Sequence, residues 1–264
     1  MNRPSHRLTG PVALLAGIAI VVVACGAPAL PALTDPTEIV TAALASTEGA
    51  KSVHVEAKLE GSINADLTGA GGPGTSISLQ GTTASADVDM ANGKAHASVA
   101  VPALLNLSAD VIQIGPTTYF KSSLGGPQYE AMDATDELPV DPTDASGIFD
   151  NIGDLLTAEG VDPVKGDDVD CGGRQCYTVM IELTPDELAA LGGATASELV
   201  PLDLAAASLA FTIRVEKDTR LLAGINTVAS LGTQGSLTLD FAFSKWDQPV
   251  DISPPPADQI KPAT

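Results

Sequence analysis

Three cysteines, two histidines beyond the first few residues and a scatter of grouped acids are the side chains here that could do chemistry. His54 and His96 each sit inside an alternating apolar–polar segment. Neither has a nucleophile signature nearby, and the chain has no Gly-x-Ser-x-Gly turn. The acids group as Asp133, Asp136 and Glu137, and again as Asp167, Asp168 and Asp170. Neither group has the Asp-x-Asp-x-Asp-Gly…Glu spacing of a calcium loop, so both read as solvated loop acids. The glycine-rich run at 69–74 lacks the Lys-Ser or Lys-Thr that a phosphate loop needs, and reads as a linker. Cys171 and Cys176 flank the turn-forming Gly172-Gly173-Arg174-Gln175, which predicts a disulfide across a hairpin mouth. A redox pair would be spaced Cys-x-x-Cys, and structural zinc would need more Cys or His ligands than the chain offers. No cofactor or metal is expected, and the chain is expected not to be an enzyme. An envelope hydrolase working through His54 or His96 is the remaining catalytic alternative.

Cys25 carries a different chemistry. A basic start with Arg3 and Arg7 leads into the uncharged stretch 12–24, which ends Val22-Val23-Ala24-Cys25-Gly26. That stretch suits a signal-peptide core and falls short of the roughly 20 residues of a spanning helix. An aliphatic residue, a small residue and then Cys resemble a bacterial lipobox. Such a signal implies a diacylglyceryl group on the Cys25 thiol, cleavage before it and further acylation of the new amino terminus. Two or three chains anchor stably, whereas one gives marginal binding. The expectation is an extracytoplasmic lipoprotein anchored to the cell membrane at Cys25, with residues 1–24 removed. A plain signal peptide with a chance cysteine is the alternative.

Charge narrows the partners. The chain has 13 Lys plus Arg against 33 Asp plus Glu, a formal charge of −20; loss of Arg3 and Arg7 with the leader makes it −22. So acidic a surface repels nucleic acid and cannot dock electrostatically on anionic headgroups. The remaining length of about 240 residues can bury a sizeable core. With five Phe, three Tyr and one Trp, that core is aliphatic.

The elements that would position these residues follow from spacing. Residues 25–34 read as a lipidated tether, rich in Pro and Ala. Asp35-Pro36-Thr37-Glu38 opens an amphipathic helix to about Ser46, with Ile39, Val40, Ala43 and Leu44 as its apolar stripe. Val53, Val55, Ala57 and Leu59 then alternate with His54, Glu56, Lys58 and Glu60, and residues 61–74 read as loop. Further alternation covers 77–79 and 84–88. Asn92-Gly93 marks a tight hairpin, and strands follow at 94–101, 108–114 and 117–122. Ile148, Phe149, Ile152, Leu155 and Leu156 share one helical face. After the cysteine hairpin come a strand at 177–183, a capping-box helix from Thr184, and strands at 210–216, 221–229 and 236–246. The domain is read as 35–252, with a Pro-rich tail at 253–264. Gly- and Asn-containing turns join strands directly, so the class is α+β with an antiparallel sheet.

The surplus of apolar faces has two readings, a filled core or a cavity between sheet and helices. Here the chain is similar to a known family. The segment Ser236-Leu237-Thr238-Leu239-Asp240-Phe241-Ala242-Phe243-Ser244-Lys245-Trp246-Asp247-Gln248-Pro249-Val250, followed by the proline run, resembles the C-terminal signature of the LppX/LprAFG lipoproteins. Lys51-Ser52-Val53-His54-Val55 resembles the opening of that family's first strand. Asp110 to Tyr119 resembles its middle strands, and Ile148 to Leu156 its lid helices. The resemblance spans roughly 36–256.

It implies a strongly curved antiparallel half-barrel with helices over its concave face, enclosing a hydrophobic cavity. The implied lining is Val53, Val55, Ile148, Phe149, Ile152, Leu155, Val179, Ile181, Phe211, Ile213, Leu239 and Phe241. It further implies carriage of a di- or triacylated lipid or glycolipid between inner membrane and outer envelope, with an envelope transporter as a partner. The Cys171–Cys176 pair and the 69–74 insert depart from the family pattern and leave the particular lipid open. The other reading is a non-transport binding or scaffolding lipoprotein with a filled core.

Overall fold

Strict alternation of apolar and polar side chains gives a sheet one buried and one wet face, and most of this molecule is built that way. The computed structural model describes residues 30–65, 75–133, 160–190 and 206–262. The first run of strands is β1 (Ser52–Ala65), β2 (Thr75–Ser78), β3 (Thr82–Asp89), β4 (Lys94–Val101), β5 (Leu107–Ile114), β6 (Thr117–Ser122) and β7 (Glu130–Asp133). The second is β8 (Val164–Lys165), β9 (Val169–Asp170), β10 (Gln175–Leu183), β11 (Ser208–Glu216), β12 (Leu222–Ser230) and β13 (Gly235–Ser244). All join one antiparallel, curved, open sheet ordered β7-β6-β5-β4-β3-β1-β13-β12-β11-β10-β8, with β2 paired to β1 and β9 to β10. The expected α+β class is what the chain adopts.

Helix α1 (Pro36–Glu48) starts as its sequence dictates. The Asp35 carboxylate accepts the Glu38 N–H at 2.8 Å, and Pro36 occupies the first turn. Its stripe Ile39, Val40 and Ala43 is buried against β10, β11 and β12. Helix α2 (Pro185–Ala190) opens on a capping box in which the Glu187 carboxylate accepts the Thr184 N–H at 2.6 Å. The disulfide Cys171–Cys176 closes the β9–β10 hairpin, with Cα atoms 6.0 Å apart.

Three features depart from the sequence reading. The loop expected from residue 61 begins later, because β1 runs on to Ala65. Gly61 lets it pass. It sits at φ +112°, and a Cβ there would lie 2.2 Å from the Ser236 carbonyl oxygen. Only glycine tolerates both the angle and the approach. Secondly, the last strand stops at Ser244 instead of reaching Trp246. Lys245 and Asp247 both take left-handed φ, and the chain folds back on the start of β1. Asp247 N–H donates to the Ser52 carbonyl at 3.0 Å, and its carboxylate accepts the Lys51 N–H at 2.7 Å. The Trp246 indole N–H donates to the Leu222 carbonyl at 2.9 Å, and its ring packs 6.1 Å from that of Phe243. The Ser-Lys-Trp signature is thus a clamp between chain ends. Thirdly, the Pro-rich tail turns once at Ala257–Gln259 and is pinned. Ile260 bridges Tyr129, Lys261 pairs with Glu130, and Ile252 is buried with Ile112 and Tyr129.

Gly61→Ala should lower unfolding free energy by about 2 kcal/mol or more, seen as a lower urea midpoint at unchanged slope. Replacing both Cys171 and Cys176 by Ser should remove about 2 kcal/mol through the freed short loop, read the same way.

Candidate functional site

Antiparallel partners point to the same side of a sheet, so the register sorts the side chains into rows. One row runs Val179, Ile213, Ile225, Phe241, Ala57, Ala84, Val99, Ala109 across β10, β11, β12, β13, β1, β3, β4 and β5. A second runs Ile181, Phe211, Thr227, Leu239, Leu59. A third joins Phe243, Val55, Ala86, Ala97, Val111 and Phe120. All lie on one face, the face that carries α1.

Every described member of the sequence-derived lining falls on this face. Val53, Val179, Ile181 and Ile213 are fully buried core residues. Val55, Phe211 and Phe241 are partly exposed and pack against that core, and Leu239 is half-buried in the second row. Ile148, Phe149, Ile152 and Leu155, and the lipidation site Cys25, lie outside the described residues. The face is also graded in bulk. Under and beside α1 it is Ile, Phe, Leu and Val; across β3, β4 and β5, Ala84, Ala86, Ala95, Ala97 and Ala109 share it with Val88, Val99, Val101, Leu107 and Val111. The alanines make the second half of this face shallower.

The opposite face is mostly polar, with the small cluster of Ile112, Tyr129 and Ile252 as its apolar patch. The His54 ring nitrogen Nδ1 lies 2.7 Å from the Asp87 carboxylate, and His96 Nε2 lies 3.2 Å from Asp110. The Tyr129 hydroxyl donates to Asp110 at 2.6 Å and accepts from Lys121 at 3.1 Å. Burial, reinforced by the Asp110 carboxylate, pushes the Tyr129 phenol above its ordinary value. Both histidines are therefore held by carboxylates on the wet side of the sheet.

A hollow of about 770 Å³ lies over β1, β3, β4, β5 and β6. It is lined by the rows Glu56-Ser85-Ser98-Asp110-Lys121 and Lys58-Thr83-Ala100-Ser108 and by the strand positions between them. The apolar rows through Val55 and Leu59 take no part. The hollow therefore opens on the polar face and is not the acyl cavity expected from the sequence.

One further constellation had no sequence signal. The Tyr177 hydroxyl accepts the Leu33 N–H at 3.0 Å, and Arg220 donates to the Pro31 carbonyl. Lys165, Lys217 and Arg220 sit 5.7, 5.1 and 5.2 Å from the Tyr177 ring centre. Burial would raise the Tyr177 phenol, but the Leu33 N–H and Arg220 outweigh it and hold it below its ordinary value. The chain entering α1 is thus fastened before the helix begins.

No family model matches the sequence, and no curated protein matches it either. Among solved structures, LprF from Mycobacterium bovis superposes with a TM-score of 0.52 at 19% identity, covering 83% of this chain and 96% of LprF. The chain has the LprF fold. The resemblance read from the sequence therefore holds at the level of fold. The Mycobacterium tuberculosis lipoprotein LppX, at 17% identity, covers 83% of this chain and 98% of its own, but its TM-score of 0.42 is too low to carry an argument. Within the LprF fold of this chain, α1 fills one end of the apolar face and leaves the small-residue end less covered by described elements.

That division predicts unequal costs on one face. Ile213→Ala should lower stability by about 2–4 kcal/mol, as a cavity in close-packed surroundings does, whereas Leu239→Ala should cost well under half of that. Urea titration of the two variants side by side measures the difference.

Proposed function

We propose that this chain is an envelope lipoprotein that shields the acyl chains of a di- or triacylated lipid or glycolipid on its apolar face. In this reading it carries that lipid between the inner membrane and the outer envelope. The observation that carries the proposal is the continuity of the apolar rows beyond the area α1 covers, from Phe241 through Ala57 to Ala109. The shared LprF fold and the lipobox ending at Cys25 support it. Cys25 would carry the anchor and hold the domain outside the cytoplasm, beside the bilayer from which lipid is drawn.

The mechanism is passive. An acyl chain moving from bilayer to protein exchanges one apolar surrounding for another, so the transfer is reversible and no bond is made or broken. Each methylene exposed to water instead would cost about 0.8 kcal/mol, so an ordinary chain does not cross an aqueous gap bare. No nucleophile, base or cofactor is assigned a role; His54 and His96 serve as carboxylate-paired residues of the wet face. An envelope transporter would supply or receive the lipid. The alternative, a scaffolding lipoprotein with a filled core, draws on one observation: the hollow of about 770 Å³ described above is on the polar face.

Organic extraction of the purified chain followed by mass spectrometry separates the two. Covalent acyl groups stay on Cys25, so extracted lipid is bound lipid. Carriage predicts about one acyl lipid per chain, lost in Leu239→Glu while the circular-dichroism melt is retained. A chain that yields no lipid from a lipid-rich host is a scaffold.

A further inference from the structure

The end of the sheet remote from α1 carries an unusual surface. The β4–β5 connection, residues 102–106, presents Leu104 and Leu105, 47% and 93% exposed. The β6–β7 connection, residues 123–129, presents Leu124, 80% exposed. The two connections are neighbours, because Ser123 N–H donates to the Ser108 carbonyl at 2.8 Å and Ser108 N–H to the Ser123 hydroxyl at 3.1 Å. The β2–β3 turn lies beside them, the Pro102 ring being 3.7 Å from where a Cβ on Gly81 would stand. None of the stretches 75–86, 97–109 and 122–129 contains a charged residue, in a chain that is 17% charged.

The conformation of Leu105 sharpens the point. Leu105 and Asn106 both adopt left-handed backbone, at φ +55° and +57°. Asn is at home there, but a bulky side chain is disfavoured. A leucine whose backbone is strained and whose side chain touches almost nothing adds nothing to the fold. Its presence calls for a partner outside the chain.

We propose that these loops form a docking tip that inserts Leu104, Leu105 and Leu124 into the interfacial layer of a lipid bilayer. Several observations select a bilayer over another protein. The leucines are separate protrusions, which lipid accommodates without a shape-matched pocket. Their sequence neighbours are Ser, Asn, Gln, Gly and Pro, and the Lys261 ammonium held against the Gly125 carbonyl at 3.1 Å is already paired with Glu130, so little net charge has to be desolvated on entry. A second copy of the chain would bring a further charge of −20 against the first. The tip also adjoins the end of the apolar face that α1 leaves open, where Val101 and Leu107 pair. It would therefore set that end against the membrane, although docking itself does not depend on a lipid being carried.

The test uses the unit Pro31–Thr264, which holds the thirteen strands and two α-helices of the described residues and the core, and lacks Cys25. Flotation with phosphatidylcholine vesicles should show reversible binding that persists at high salt and does not strengthen when phosphatidylglycerol is added. Leu105→Asn should weaken binding about tenfold, and Leu124→Asn by a similar factor. The melting temperature of Leu105→Asn should stay level or rise, because Asn suits the left-handed position. In the full acylated chain, a Leu105→Trp reporter should blue-shift and be quenched by brominated phosphatidylcholine. Extracted lipid from the same preparations is scored separately, so a chain that docks but carries nothing defeats only the carriage proposal. The docking proposal is overturned if the wild-type unit does not float, if the Asn variants float equally well, or if binding needs anionic lipid and vanishes in salt. It is also overturned if the leucines prove to govern concentration-dependent self-association instead.

Discussion

Everything in this architecture depends on the pairing of β1 with β13. Each half of the chain forms its own run of hairpins, and only this seam makes them one sheet. The seam brings Lys51 and Asp247, 196 residues apart, within hydrogen-bonding distance. It sets Val55 beside Phe243, Ala57 beside Phe241 and Leu59 beside Leu239, so the rows of one half continue into the other. A slip of one residue here would turn every row of one half to the opposite face. The fold guards against that with the fold-back at Trp246 at one end and the close approach of Gly61 to the Ser236 carbonyl at the other. Loop-closure entropy makes such a distant pairing slow to find, so the seam is expected to form after the local hairpins.

Local signals were readable in the sequence and distant ones were not. Asp35, Pro36 and Glu38 announced α1, Thr184 and Glu187 announced α2, and Asn92-Gly93 the β3–β4 turn, because each motif satisfies its own backbone groups within a few residues. Period-two alternation located the longer strands for the same reason. Strands of two to four residues, such as β7, β8 and β9, are too short for a period to register. The loop expectation for 61–74 starts too early because local propensity knows nothing of Ser236 across the seam from Gly61. The Ser-Lys-Trp signature was recognised as a pattern, but its work as a clamp needs the partner residues Lys51, Ser52 and Leu222.

The candidate site was legible to the same degree. Alternation assigns a residue to a face, and the eight described lining residues share one. It does not say which part of that face a helix fills, so core residues such as Ile213 and half-buried ones such as Leu239 looked alike. Nor could composition reveal that a hollow of about 770 Å³ lies on the side of the histidines and serines. The fastening of Pro31 and Leu33 by Arg220 and Tyr177 joins groups far apart in sequence, with no motif to advertise it.

The pinned tail has a consequence of another kind. An open sheet, unlike a closed barrel, ends in two borders whose free amides and carbonyls invite a strand from another molecule. Here the β8 border is only two residues long, too brief to template much. The β7 side is longer, and beside it the backbone of residues 259–261 exchanges hydrogen bonds with Tyr129. Residues 259–261 thus act as a selvedge at Tyr129, where β7 begins, and leave less of that border open to a strand from a neighbouring molecule.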